Sequence, residues 1–194
     1  GGAGVQADIK TMSALGVYAA SAITSVTVQN TLGVQAIQAI QPEIVAGQIR
    51  AVMDDIKPTA IKVGMVNDQA TILAITDTLQ QYSPQKLVVD PVMVSTSGSM
   101  LMQKDALGTF CSRLLPMATL LTPNIPEAEV LSDLSIRSID DMDAAGRSIL
   151  ALADAVAQAK TYLSQALEAG KDVHIGEGHG PVNHLFNPEK QIIL

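Results

Sequence analysis

The 194-residue sequence holds a single cysteine, Cys111, so no disulfide can form within the chain. No charged leader followed by an apolar run opens it, and a reducing, cytoplasmic setting is expected. Long apolar runs are also missing: stretches such as Leu87 to Val89 and Ala118 to Leu121 fall far short of the roughly 20 residues that a membrane helix needs. They suit buried strands, and no membrane association is expected. Basic side chains are few, 12 against 19 acidic for a formal charge of -7, and they are scattered. Without a basic cluster there is no footprint for a phosphate backbone, so nucleic acid is not an expected partner.

Hydrophobic residues make up 47% of the sequence, enough to fill the core of one domain spanning 1–194. A glycine-rich entry, Gly1-Gly2-Ala3-Gly4, precedes Val5, Ile9, Met12 and Leu15 at helical spacing, and Gly16 stands where a left-handed C-terminal cap is expected. Val17 to Gln29, rich in Ala, Ile, Val and Thr, reads as a buried strand running into a polar loop. From Glu43, apolar residues at Val45, Ile49, Val52 and Ile56 predict a helix closed by Pro58. Ala60 to Gly64 is a short strand. Asp68 opens a helix with Ile72, Ile75, Leu79 and Tyr82 on one stripe, stopped by Ser83-Pro84 before a strand from Lys86 to Asp90. A helix from about Lys104 to Leu115 and a strand from Ala118 to Thr122 follow. Cys111 shares a stripe with Phe110, Leu114 and Leu115 and reads as a small core or half-buried residue.

Helices alternating with short apolar strands indicate a parallel sheet covered on both faces, a three-layer α/β/α sandwich. Ligands bind such sheets beyond the carboxyl ends of the strands, which draws attention to Gln29, Met65, Asp90 and Asn124. One region breaks the alternation. From Asp140 to Ala169 the sequence reads as helix on helix, the later stripe being Val156, Ala159, Leu163 and Ala166, with no strand between them.

Four segments, in this order, carry a resemblance: Gly1 to Asp8 (GGAGVQAD), Val28 to Gln35 (VQNTLGVQ), Asp90-Pro91-Val92-Met93, and Thr122 to Glu129 (TPNIPEAE), with Lys62-Val63-Gly64-Met65 between the second and third. Together they resemble the hydroxymethylpyrimidine and phosphomethylpyrimidine kinases of thiamin biosynthesis, within the ribokinase-like superfamily. The resemblance covers Gly1 to about Leu152 and resumes from about Ala153 to the Gly178 to His184 tail. It implies a ribokinase-like fold, ATP and Mg2+ as cofactors, and a hydroxymethyl group on a pyrimidine, or its phosphate, as the acceptor. In phosphoryl transfer of this kind the protein contributes positioning and charge stabilisation.

The side chains then sort into two groups. Gln29 is the expected pyrimidine binder, because its amide offers a donor and an acceptor side by side for a ring nitrogen and an exocyclic amine; a turn-capping Gln is the plainer alternative. Asp8 is expected to accept a bond from the substrate, although an acidic residue in the first turns of a helix is also favoured by the helix dipole. Gly2 and Ala3 would let backbone approach the ligand. Met65 and Val92 serve equally well as walls for the ring or as ordinary core. Asp90, at a strand end before Pro91, suits magnesium bound through water, an ion that keeps several of its waters. Asn124 and Glu127 match the superfamily's Asn-x-x-Glu motif near magnesium and phosphates, and they equally match a helix capping box. The assignment is therefore Asn124, Glu127 and Asp90 for the nucleotide, with Asp90 and Glu127 for the metal. His174, His179 and His184, five apart, fit no usual metal pair.

Two parts of the family pattern are absent. The Lys-Gly-Gly-His strand end and the Gly-Thr-Gly-Cys loop, whose amides form the family's anion hole and whose cysteine is its proposed base, are not found, and the sequence passes directly from Leu152 to Ala153. A first strand ending in a Gly-Ser-Asp-Pro-type loop is also expected before Gly1. The expectation is thus an internal gap near 152–153, a catalytic residue that cannot be named, and a natural protein with further residues. Two other functions stay open: a non-catalytic pyrimidine-binding or regulatory relative, and a pyridoxal kinase of the same superfamily. A homodimer is compatible with the sequence.

Overall fold

The computed structural model describes residues 3–93, 101–103 and 105–152. Gly2, Lys104, the stripe from Val156 to Ala166 and the three histidines lie outside the described residues. Helix α1 (Gly4–Ala14) ends as its sequence predicts. Gly16 adopts a φ of +72°, its amide donates to Ser13 O at 3.1 Å, and the Val17 amide donates to Met12 O at 2.8 Å. This double closure is the Schellman arrangement that glycine permits at a helix end.

The stretch from Val17 to Gln29 departs from expectation. Only its end is strand: β1 (Ser25–Asn30) pairs antiparallel with β2 (Gly33–Ala39), forming a separate two-stranded sheet. The Asn30 side chain accepts from the amides of Leu32 and Gly33, a local turn that reverses the chain where a polar loop was expected. Val26 and Val28 are exposed, so this β-rich composition serves a hairpin and not a buried strand. The hairpin's base is strapped down on two sides. Gln48 bonds both the amide and the carbonyl of Ile23, while Thr24 Oγ1 donates to Met65 O at 2.7 Å and Ser25 Oγ to Asn67 Oδ1 at 3.1 Å.

The parallel sheet follows the sequence reading closely. Strands β3 (Ile61–Val63), β4 (Leu87–Val89) and β5 (Leu120–Leu121) lie in that order, all parallel. Helix α2 (Pro42–Asp55) precedes β3, and α3 (Gln69–Tyr82), capped by the Asp68 carboxylate on the Thr71 amide at 2.8 Å, runs between β3 and β4. The next helix begins as α4 (Ala106–Thr109), continues as a π turn (Phe110–Leu114) and closes in a 3-10 turn (Leu115–Met117), at Pro116 as expected. Helices α2 and α3 pack together, and α3 packs on α4 and the π turn. After β5, α5 (Ile125–Ser132) packs on α6 (Ile139–Leu152).

One core joins these pieces. Val63, Leu87, Val89 and Leu121 from the strands meet Val45, Ile72, Ile75, Leu79, Phe110, Leu114, Leu131 and Ile149 from the helices, all buried. At about 1.5–3 kcal/mol for each large apolar side chain removed from water, this cluster is the main force holding the strand ends in place. Cys111 sits half-buried against the same cluster, as its stripe predicts.

Candidate active site

The pleat of the sheet decides which side chains meet. Val63 faces the core, so its neighbour Lys62 faces the opposite side. Lys62 pairs with Val88, and Asp90 lies two residues beyond Val88, returning to the Lys62 side. Likewise Leu120 pairs with Val88, and Thr122 lies two beyond Leu120. Backbone bonds carry this register past the strand ends: the Asp90 amide donates to Val63 O at 2.8 Å and the Thr122 amide to Val89 O at 3.0 Å. Lys62, Asp90 and Thr122 therefore share one face at the carboxyl edge, where open α/β sheets bind ligands.

Asp8 reaches this edge from α1. Lys62 Nζ lies 2.6 Å from Asp8 Oδ1 and 3.4 Å from Asp90 Oδ2, which makes a carboxylate–ammonium–carboxylate chain across three elements. Burial pushes the Asp90 carboxyl above its ordinary range, against the pull of Lys62 and the Thr122 side chain. The Lys62 ammonium is held above its usual value: burial opposes its charge, but Asp8 and Asp90 together outweigh burial. Lys62 therefore stays protonated at physiological pH.

Asn124 caps α5. Its Oδ1 accepts from the Glu127 amide, and Glu127 Oε2 accepts from the Asn124 amide, both at 2.9 Å, so the capping box is formed in full. Glu127 is also buried, at 5% exposure, which is unusual for a side chain whose only task is to close a surface helix. Burial raises its carboxyl above the ordinary range and the Asp90 charge raises it further, while the backbone amides of Asn124 and Met93 favour the charged form. Asp90 and Glu127 are thus electrostatic neighbours.

The other expected site residues are less closely gathered. Gln29 is exposed on the hairpin, where its side-chain oxygen lies 3.5 Å from Thr27 Oγ1, and it is not at the end of a parallel strand as expected. A bulge between Val28 and Gln29 shifts the pairing beside it. Met65 and Val92 are half-buried at the ends of β3 and β4, and the Met65 carbonyl is held by Thr24. Ala3 is the N-cap of α1, extended and without a side-chain cap bond, so the first amides of α1 receive nothing from it. Lys62 was not singled out by the sequence, although it stands inside the Lys-Val-Gly-Met segment. Among the described residues no group of three or more His, Cys, Asp or Glu side chains forms a metal cage, and none of the helices is long and apolar enough to cross a membrane.

A parallel sheet flanked by helices, with charged side chains converging at its carboxyl edge, defines a ribokinase-like small-molecule kinase fold. The family model described as phosphomethylpyrimidine kinase matches residues 1–153, and the chain belongs to that family. The hydroxymethylpyrimidine/phosphomethylpyrimidine kinase of Rhizobium meliloti (strain 1021) is 37% identical over 247 aligned positions, covering 95% of this chain and 92% of the relative. That aligned span exceeds the 194 residues here, so the relative carries residues without a counterpart in this chain. The crystal structure of the phosphomethylpyrimidine kinase from Clostridium difficile 630 is 47% identical with a TM-score of 0.73, over 78% of this chain and 66% of that one. The pyridoxal kinase from Staphylococcus aureus in complex with AMP-PCP is 31% identical with a TM-score of 0.68, over 78% of this chain and 55% of that one.

Proposed function

We propose that this protein transfers the terminal phosphoryl group of ATP to 4-amino-5-hydroxymethyl-2-methylpyrimidine and to its monophosphate, in thiamin biosynthesis. The observation that carries the reading is the Asp8–Lys62–Asp90 chain, with Glu127 beside it, at the carboxyl edge of the sheet in a member of this family. In this reading Gln29, Asp8, Gly2, Ala3, Met65 and Val92 bind the pyrimidine. Asn124, Glu127 and Asp90 serve the nucleotide. The AMP-PCP complex of the Staphylococcus aureus pyridoxal kinase supports ATP as the donor. The protein acts in the cytoplasm, on small molecules, without nucleic acid or membrane, and a homodimer is compatible with this role.

Asp90 and Glu127 fit a magnesium ion. Both are carboxyl groups raised by burial, with the charge of one working against the other, and a divalent cation relieves that repulsion. They would hold it through water, since this ion keeps most of its own shell. When bound, magnesium neutralises charge on the phosphates. The residues of the chain supply orientation: Lys62 fixes Asp8 and Asp90, and the capping box fixes the Glu127 carboxylate at the start of α5.

A pyridoxal kinase is the second reading, favoured by the likeness to the Staphylococcus aureus enzyme. Parallel assays of ATP-dependent phosphorylation on hydroxymethylpyrimidine and on pyridoxal, with calorimetric binding of each, separate the readings when run on the chain with a relative's segment inserted at 152–153. Turnover of the pyrimidine supports the proposal, and turnover of pyridoxal alone overturns it. Pyrimidine binding without turnover supports the non-catalytic relative.

A further inference from the structure

The Lys62 ammonium lies between two carboxylates that have different tasks in the proposed function. Asp8 comes from α1 and belongs to the pyrimidine side; Asp90 comes from the end of β4 and belongs to the phosphate side. Lys62, on β3, touches both: its bond to Asp8 spans 54 positions of sequence, and at 2.6 Å it is a short charge-assisted bond. The contact to Asp90 is longer, 3.4 Å, so Lys62 gives Asp90 attraction without saturating its oxygens. Their side chains are 28%, 32% and 30% exposed for Lys62, Asp8 and Asp90, so the chain lies neither in bulk water nor in the core. Lys62 itself is held from behind, because its neighbours Ile61 and Val63 pack into or against the core cluster.

We propose that Lys62 is a positioning residue that ties the carboxylate of Asp8 to that of Asp90, so that the pyrimidine and phosphate halves of the site are assembled as one unit. This rests on the reading of Asp8 and Asp90 given under the proposed function. The groups facing Lys62 are Asp8 from α1 and Asp90 from β4; the Thr122 side chain and the Glu127 carboxylate face Asp90 in turn. Replacing Lys62 with Met keeps the stem and its packing and removes the charge, which leaves two carboxylates facing each other across an empty bridge. Replacing it with Arg keeps the charge and a reach of similar length.

The test has one arm independent of activity. Carboxyl NMR titrations of the 194-residue chain, with Asp8 and Asp90 assigned through Asp8→Asn and Asp90→Asn, are compared for the unaltered protein, Lys62→Met and Lys62→Arg. The Asp90 midpoint is expected to rise by about one pH unit or more in Lys62→Met and to return in Lys62→Arg. If Lys62→Met does not fold, Asp8→Asn answers the same question: it removes a repelling charge and frees Lys62 for Asp90, so the Asp90 midpoint falls. Unchanged midpoints overturn the proposal even if the protein is an active kinase. In the second arm, run on the chain with a relative's segment inserted at 152–153, Lys62→Met raises both the pyrimidine KM and the magnesium half-saturation, by about ten-fold each, and Lys62→Arg recovers most of both. A rise in only one overturns the coupling. If neither ligand binds the unaltered protein, the proposed function fails while the titrations still judge the bridge.

Discussion

Asn124 and Glu127 each accept a hydrogen bond from the other's backbone amide, at 2.9 Å in both directions. The geometry is a complete capping box, yet Glu127 is also buried and within electrostatic reach of Asp90. The two roles separate by substitution. Glu127→Gln retains an acceptor at the third helical position and should change thermal stability little, whereas Asn124→Ala removes the cap and should cost about 1 kcal/mol in denaturant unfolding. If Glu127 also serves magnesium through water, Glu127→Gln raises the magnesium requirement of the full-length enzyme at unchanged pyrimidine affinity. A magnesium titration that does not move leaves Glu127 as a cap alone.

Asp90 and Glu127 give a second prediction, on pH. Both carboxyls are raised in the fold above their unfolded values, 3.8 and 4.5, chiefly by burial. Their contribution to stability is therefore fully present below those unfolded values and is lost as pH rises through the folded ones. At neutral pH the charged Asp90 opposes folding, so Asp90→Asn should raise the melting temperature there, by about 2–4 °C for each 1 kcal/mol relieved, while at pH 3.5 the gain should vanish. The same substitution should raise the magnesium requirement. A lower melting temperature at pH 7 would show that the Lys62 and Thr122 contacts outweigh burial.

Much of the fold was legible because its signals are local. Glu43, Asp68 and Ser83-Pro84 mark helix ends that the structure places at Pro42, Gln69 and Tyr82, and three short apolar stretches are the three parallel strands. The hairpin was not legible in the same way. Val26 and Val28 have the composition of a buried strand, and composition does not say which face meets a core; here both point to solvent. The strand from Gly33 to Ala39 went unseen because Gln35 and Gln38 interrupt its apolar pattern. Within the site, Asp8, Asp90, Asn124 and Glu127 were found from their motifs, but their bridge was missed. A single Lys in a three-residue strand carries no periodic signal. Its role appears only once the pairing of Lys62 with Val88 sets Asp90 on the same face and α1 brings Asp8 across.

Gln29 is the third test. It is exposed on a hairpin, with its side-chain oxygen facing Thr27 at 3.5 Å, so Gln29→Leu should leave the unfolding midpoint within about 0.5 kcal/mol of the parent. If its amide pairs with the aminopyrimidine, the loss of those bonds costs about 1–3 kcal/mol, a fall of roughly ten- to hundred-fold in affinity. Calorimetry reads both halves of the prediction. Pyrimidine affinity that is unchanged in the folded variant would make Gln29 an ordinary hairpin residue.

The last prediction concerns the junction of Leu152 with Ala153. The match to the family model ends at residue 153, and the aligned span in the Rhizobium meliloti relative is longer than this chain. By its resemblance, the family places an anion-hole loop and a cysteine base in the part that has no counterpart here; Cys111, the single cysteine, packs half-buried against the core, where burial raises its thiol away from reactivity. Phosphoryl transfer spreads charge over the transferring group, and one preorganised donor at such a site is worth about 2.7–4 kcal/mol, or two to three orders of magnitude in rate. Losing a loop of such donors costs more than losing one. A polypeptide of verified mass joined as written should therefore show no measurable kinase turnover, even though the Asp8–Lys62–Asp90 chain and the capped Glu127 are in place. Inserting the corresponding segment of a relative at 152–153 should restore turnover. Robust ATP-dependent phosphorylation of hydroxymethylpyrimidine by the verified 194-residue chain would defeat this account, and would place the anion-stabilising groups among residues already present.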